Sequence, residues 1–312
     1  MGCRWSEVRI LSSRPAKSRG TFGFPAFSYT PFNKEATVGK TLYRPFRHNT
    51  DLGQNFLVDS SVLDNIVEQA QAGPGQTILE VGAGQGVLTR RLAQSGCRLF
   101  AVEIDRRLQE PLEELEGLFP NLTLIWGDAV QLDYPSLLSV RPQKVIANIP
   151  YHITTPLLWK LLEDLVPEGL SYLLLMVQKE AADRLTAPAG TKMRYPLGVT
   201  LELMGKVRRL RRVPPGAFRP MPRVDSALIE ITLDRRLGLA RDLFWRKLLA
   251  GAFAQRRKTL ANNLQAALKL SRQSLTDMIL ELGLDEKVRA EGIEGPSWLR
   301  LSEKLRILSK NN

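Results

Sequence analysis

A spaced series of short segments between Gln54 and Tyr151 holds residue types that can do chemistry together. The series is Gln54-Asn55-Phe56-Leu57, Glu80-Val81-Gly82-Ala83-Gly84-Gln85-Gly86, Glu103, Asp128 and Asn148-Ile149-Pro150-Tyr151. The glycine segment lies between a short apolar run and a helical pattern. Glycine there permits a tight turn and lets a ligand approach the backbone. The spacing is not the G-x-G-x-x-G of dinucleotide sites, and no Gly-Lys-Ser/Thr follows to make a Walker loop. About 20 residues on, Glu103 ends a second apolar run, where a carboxylate can accept the hydroxyls of a ribose. Asp128 follows a third run. It can accept from an adenine amino group or cap a helix N-terminus. The loop lacks basic residues for phosphate. The set points to an adenosine ligand, and to S-adenosylmethionine rather than a nicotinamide dinucleotide.

Asn148-Ile149-Pro150-Tyr151 has the chemistry of a slot for a planar amine. The exocyclic nitrogen of adenine is a poor nucleophile, because its lone pair is delocalised into the ring. The Asn148 side-chain oxygen and a backbone carbonyl, that of Ile149 or Pro150, can both accept from such an amine. Together they hold it and favour pyramidal nitrogen. Pro150 fixes the backbone and donates nothing. Tyr151 can stack on the base face, worth ~1–3 kcal/mol. No base is needed before attack, since the proton becomes acidic once nitrogen carries the new bond. Alignment alone can supply ~7–11 kcal/mol. His152 is expected to be structural or to contact RNA. A base inside a duplex cannot reach such a slot, so the target is unpaired or flipped out.

These residues need rigid elements to hold them. Asp59-Ser60-Ser61 precedes a periodic segment through Gln71 that reads as a capped helix, and Gly73-Pro74-Gly75 ends it. Strands are expected at Thr77–Val81, Arg98–Ile104, Leu122–Trp126, Lys144–Ala147 and Leu170–Val177. Helices are expected at Val87–Gln94, Arg106–Leu118 and Thr154–Leu165. Strands and helices alternating through short loops imply an α/β fold with a parallel sheet covered on both faces. Val199–Val207 and Ala227–Leu233 read as further strands. From Leu239 onward every long segment has helical spacing, which predicts a small all-helical domain with a boundary near Arg235.

Bulk properties fit this plan. The chain has 312 residues, 44% hydrophobic, enough for one large domain and a smaller one. Its longest apolar run, near Leu170 to Val177, falls short of the ~18 residues that span a bilayer. Two cysteines, Cys3 and Cys97, cannot build a disulfide framework or a zinc site, and no metal is expected. Cys97 reads as a plain core thiol. A reduced, cytoplasmic protein is the expectation. Net charge is +12, and it is concentrated: Gly205 to Leu260 carries 15 Lys and Arg against 4 Asp and Glu. Focused positive charge suits a nucleic acid.

The first forty residues lack periodicity and are poor in acids. They resemble an organellar transit peptide. The favoured alternative is a misplaced start codon, because Val8-Arg9-Ile10 can be encoded by the T-loop core of a tRNA gene. Translation would then begin near Val38. Residues 1–47 are expected to be a disordered extension.

From about His48 to Leu308 the chain resembles the rRNA adenine N6,N6-dimethyltransferases of the KsgA type. The motifs above carry the resemblance, with Gln178-Lys179-Glu180, Val213 to Phe218, Pro222 to Ala227 and Ala252 to Leu260. It implies a class I S-adenosylmethionine-dependent methyltransferase fold, Rossmann-like, over residues 48–235. It implies a helical rRNA-binding domain over residues 236–312. The activity implied is dimethylation of two adjacent adenosines in the loop of the 3′-terminal helix of small-subunit (16S) rRNA, within an assembling 30S-type particle. A monomer is expected. The donor site would be Asn55, Leu57, Gly82, Glu103, Asp128 and Asn148. Asn148, Pro150 and Tyr151 would be catalytic. Tyr151 would stack on the target base, with Phe218 as second partner, although read alone Phe218 fits a core anchor. Arg219, Arg223, Arg256, Arg257 and Lys258 would contact RNA, beside Arg208, Arg209, Arg211 and Arg212. The tribasic run is expected to begin a helix. Arg194 to Gly198 departs from the usual pattern, which affects RNA contacts. Two rivals remain: a macrolide-resistance methyltransferase of large-subunit rRNA, and a non-catalytic nucleic-acid-binding factor on the same fold.

Overall fold

Strands that are apolar on both faces belong inside a covered sheet, and the central strands have this pattern. The computed structural model describes residues 53–234 and 237–310. The expected extension over 1–47 and the boundary near Arg235 therefore lie outside the described residues. The first half runs β1 (Phe56–Leu57), α1 (Ser60–Ala70), β2 (Thr77–Val81), α2 (Val87–Gln94), β3 (Arg98–Glu103), α3 (Gln109–Leu118), β4 (Leu122–Trp126), α4 (Tyr134–Leu137) and β5 (Lys144–Asn148). It continues α5 (Thr154–Leu165), β6 (Tyr172–Gln178), α6 (Lys179–Leu185), α7 (Pro196–Met204), β7 (Gly205–Val213), β8 (Phe218–Arg219) and β9 (Ser226–Leu233).

Seven strands form one sheet in the order β4-β3-β2-β5-β6-β9-β7. The first five are parallel, and β9 runs antiparallel to both its neighbours. This is the class I methyltransferase architecture. Side chains alternate between two cores. Leu79, Val81, Phe100, Val102, Leu173 and Leu175 face one. Ile78, Leu99, Ala101, Leu174 and Met176 face the other, with helices α1, α2 and α3. The order reverses between β2 and β5. A crevice is expected at the carboxyl edge of such a switch point.

Of the expected strand Val199–Val207, only Gly205 to Val207 is extended. Helix α7 occupies Pro196–Met204, and its Leu197, Val199, Thr200, Leu201 and Met204 are all buried. Burial on nearly every side erases the amphipathic period, and adjacent β-branched Val199 and Thr200 imitate a strand. Pro196 in the first turn starts the helix. Strand β7 begins at Gly205, where an added Cβ would lie 1.8 Å from the Thr232 carbonyl oxygen. As the sheet edge, β7 exposes Arg208, Arg209, Arg211 and Arg212, charges that discourage further strand pairing.

The rest of the described chain is helical: α8 (Leu243–Ala252), α9 (Leu260–Leu268), α10 (Arg272–Glu281) and α11 (Gly295–Lys310). Trp245 and Trp298 anchor a third core there, which also takes Val199 from α7. Arg256, Arg257 and Lys258 do not begin a helix. They lie exposed in the loop between α8 and α9, and Thr259 caps α9 by accepting from Asn262 N–H. The capping hydroxyl fixes the helix start one residue beyond the charges. Arg194, in the segment that departs from the family pattern, is buried and binds Glu202 at 2.6 Å and the Ile293 carbonyl at 3.1 Å, so it joins the sheet body to the helical part. Among the described residues no helix is long and apolar enough to cross a membrane.

Candidate active site

The carboxyl ends of β2, β3, β4 and β5 converge on one crevice of about 280 Å³. Its wall includes Asn55, Gly82, Glu103, Asp128, Asn148, Pro150 and Phe218. Seven of the residues singled out in the sequence thus meet at one place. Leu57 does not line it. Leu57 is buried in β1 and borders a smaller adjoining cavity with Glu80 and Gln85. Tyr151 opens the turn after the slot, and its side chain lies outside the described residues.

The glycine loop is shaped by three left-handed residues, Gly82 at φ 84°, Gly84 at 58° and Gly86 at 77°. Each also has close neighbours where a side chain would begin, and Gly86 has no room for one. A Cβ would stand 3.3 Å from the Asn148 carbonyl oxygen at Gly82, 3.0 Å from the Phe56 ring at Gly84 and 2.3 Å from Leu115 at Gly86. The loop therefore brings the donor wall, the acceptor slot and α3 into direct contact.

Glu103 ends β3 with its carboxylate largely spoken for. It accepts from Gly84 N–H at 2.8 Å and from Ile104 and Asp105 N–H at 2.9 Å each. A carboxylate offers about four acceptor sites, so Oε2, with one backbone bond, keeps room for a ligand hydroxyl. Burial raises its pKa, opposed by those backbone bonds. Glu80, on the same face, is buried to 1% exposure and has an unpartnered Oε2. Burial pushes its carboxyl up to about 8, with Thr89 opposing and Glu103 adding to the rise. Asp128 serves both readings. Its Oδ1 accepts from Val130 N–H at 2.9 Å in a local turn, and the residue also lines the crevice.

A short strap, Gly53 to Leu57, crosses the crevice. It is pinned at one end by β1 pairing antiparallel with β8, Leu57 opposite Phe218 and Phe56 opposite Arg219. Nearer its start, Gln54 Nε2 donates to Asp105 Oδ2 at 2.6 Å. Asp105 is buried and also takes Arg107, which holds its carboxyl below the usual range. Between these pins, Asn148 Nδ2 donates to the Asn55 carbonyl at 3.1 Å. The amide nitrogen is thereby committed, and Oδ1 is left to accept. The Pro150 carbonyl takes Ile153 N–H at 3.2 Å.

Phe218 is 1% exposed and belongs to the second core. It is a core anchor that forms part of the crevice wall, not an exposed platform. His152 also lines the crevice and packs beside Gly53 and Pro150. The basic cluster is partly engaged with the body. Arg208 binds Glu230 at 2.5 Å, Arg209 binds Asp183 at 2.5 Å and Arg212 binds Asp225 at 2.6 Å. Arg219 folds back onto the Phe218 and Gly216 carbonyls. Arg223 lines a separate open groove with Lys179, Glu180 and Asp183. Arg256 donates to the Lys192 carbonyl.

The sequence placed Gln54 and Phe56 in a pocket segment without giving either a role of its own, and it missed Ile104 and Ala129 as wall residues. Ile104 is 46% exposed, and its place directly after Glu103 at the end of a strand was the sequence signal that could have found it.

Comparison with known proteins agrees with the geometry. A model of the family described as ribosomal RNA adenine dimethylase matches residues 45–306. The chain is 39% identical over 253 residues to ribosomal RNA small subunit methyltransferase A of Alkaliphilus oremlandii, covering 79% of this chain and 88% of that protein. It is 36% identical over 269 residues to the protein of the same name from Halothermothrix orenii, covering 81% and 89%. A dimethyladenosine transferase from Plasmodium falciparum superposes with a TM-score of 0.70 at 25% identity, over 80% of this chain and 97% of that one. With matches of this extent, the chain belongs to the ribosomal RNA adenine dimethylase family.

Proposed function

We propose that this protein transfers methyl groups from S-adenosylmethionine to N6 of two adjacent adenosines in the 3′-terminal helix loop of small-subunit rRNA. The observation that carries the reading is the Asn148 amide, tied through its nitrogen to the strap over the crevice and left with a free acceptor oxygen.

The crevice suits the donor. Among the described residues its wall has no Lys or Arg, but it has Glu103 and Asp128. That favours a cationic adenosine ligand over a pyrophosphate. When bound, S-adenosylmethionine supplies an electrophilic methyl on a positively charged sulfur. Glu103 Oε2 accepts from its ribose, and Asp128 accepts from its adenine amine. Gly82 and Asn55 line the part of the wall that receives the amino-acid end, while Leu57 supports the strap from behind.

On the acceptor side, Asn148 Oδ1 and the Ile149 carbonyl accept from the target N6. Ile149 is preferred because the Pro150 carbonyl already closes a turn. Pro150 fixes the angle between the two acceptors, and Tyr151 stacks on the extruded base. The N6 nitrogen would attack the methyl carbon as its bond to sulfur breaks, S-adenosylhomocysteine would leave with that electron pair, and the nitrogen's proton would then pass to water without a dedicated base. Alignment supplies most of the acceleration. Arg219, Arg223, Arg256, Arg257 and Lys258 contact phosphates, which position the RNA while the slot chooses the base. Residues 48–235 form the catalytic domain and 236–312 the rRNA-binding domain. The protein works as a monomer in the cytoplasm on an assembling 30S-type particle.

The test is methyl transfer to undermethylated small subunits, followed by digestion and mass mapping of adenosines on both subunit RNAs. Dimethyladenosine confined to the small-subunit 3′ end is expected. Label on large-subunit RNA, or none, refutes the reading.

A further inference from the structure

We propose that Gln54 is a positioning residue, which sets the orientation of the Asn148 amide by clamping the strap to Asp105. The inference deepens the proposed function and rests on it.

The argument follows the bonds. Asn148 can accept from a target amine only while its amide nitrogen faces elsewhere. It faces the Asn55 carbonyl, 3.1 Å away. That carbonyl belongs to the strap, so its position is only as fixed as the strap. Downstream, β1 holds the strap by two residues paired with β8. A two-residue ladder is weak by itself. Upstream, Gln54 precedes Asn55 directly and donates to Asp105 Oδ2 at 2.6 Å. Asp105 is a firm anchor. It is 5% exposed, its N–H is held by Glu103 Oε1, and Arg107 binds both its oxygens. Asn55 Nδ2 returns to the Gly53 carbonyl at 3.1 Å, which folds the turn around Gln54.

The consequence is a mechanical link across the crevice. The end of β3, which carries the ribose-binding Glu103, is joined through Asp105 and Gln54 to the Asn148 side chain at the end of β5. A neutral amide is suited to this link. It donates to Asp105 while adding no charge to a wall that must accept a cationic donor. Loss of the clamp frees the Asn55 carbonyl and lets the Asn148 amide rotate. A reacting group misplaced by about 1 Å can lose roughly a hundredfold in rate.

Gln54→Leu tests the link in the full chain. Without cofactor, the side-chain amide resonance of Asn148, assigned by its loss in Asn148→Asp, is expected to shift and broaden in Gln54→Leu. Single-turnover methyl transfer is expected to fall between about tenfold and a hundredfold. The dissociation constant for S-adenosylmethionine should move by less than about threefold, under ~1 kcal/mol. Asp105→Asn keeps an oxygen for Gln54 and should retain a transfer rate well above that of Gln54→Leu.

An unchanged Asn148 resonance with an unchanged rate overturns the proposal. So does a loss confined to cofactor affinity, which makes Gln54 a donor contact. Both outcomes leave the functional reading intact when the unaltered chain transfers methyl groups in the same assay. Absence of transfer by the unaltered chain removes that reading and this inference with it.

Discussion

Glu80→Gln should alter the pH dependence of stability in a defined direction. Glu80 lies on the covered face of β2, 1% exposed, with an unpartnered Oε2 and no basic side chain among the causes of its shift. Burial pushes its carboxyl from 4.5 up to about 8. The folded chain therefore holds a proton that the unfolded chain has released between those two values. Linkage then requires the contribution to be fully present below pH 4.5 and to be lost as pH rises to about 8. At 1.36 kcal/mol per pKa unit, the whole loss has an upper bound of ~5 kcal/mol. Glutamine keeps the shape of the protonated acid and cannot ionise. Urea unfolding of both proteins at steps from pH 5 to pH 9 measures the difference. Near pH 5 the two should be close. By pH 8 the variant should lead by ~2 kcal/mol or more, within the ~5 kcal/mol bound. A constant difference across the range refutes the argument, because it means Glu80 titrates alike in both states.

Asn148→Ala removes the acceptor oxygen and should cut methyl transfer by on the order of a hundredfold or more while RNA affinity holds, as read by single turnover and filter binding. Gly86→Ala places a Cβ 2.3 Å from Leu115 at a φ of 77°. Denaturant titration should show a loss of ~2–5 kcal/mol, from a left-handed penalty of ~1–2 and overpacking of ~1–3. Replacing Arg256, Arg257 and Lys258 together with alanine should weaken RNA binding for all sequences. The slope of log affinity against log salt should become shallower by roughly 2–3. An unchanged slope removes that loop from the RNA contact.

The parallel sheet was legible because its strands are continuous apolar runs set apart by glycine, proline and capping residues. α2, β4 and α5 fall on the expected residues, Val87–Gln94, Leu122–Trp126 and Thr154–Leu165. The convergence of Gly82, Glu103, Asp128 and Asn148 was legible for the same reason. Each follows a strand of one parallel sheet, and parallel strands end on one edge. Helix α7 was not legible, since burial on nearly all sides leaves no period to read. Residues 56–57 and 218–219 were recognised by motif, but their pairing was not foreseen. Two residues carry no alternation, and their partners lie some 160 positions away in the chain. Phe218 shows the limit from the other side. Its type fits both a stacking surface and a core anchor, and only its 1% exposure separates them.

The pairing of β1 with β8 also has a consequence for synthesis. The crevice has its roof near one end of the chain and the roof's fastening some 160 positions later, at Phe218 and Arg219. Domains form as units while the polypeptide emerges from the ribosome, the N-terminal portion first. A nascent chain released as far as β6 can already assemble the five parallel strands and the Gln54 and Asn148 bonds to the roof, yet it lacks the roof's downstream pin. The roof is therefore fastened at both ends only late, once the proline-rich segment has cleared the exit tunnel. Truncated products that stop before it would carry the catalytic tetrapeptide beneath a roof pinned at its Gln54 end alone.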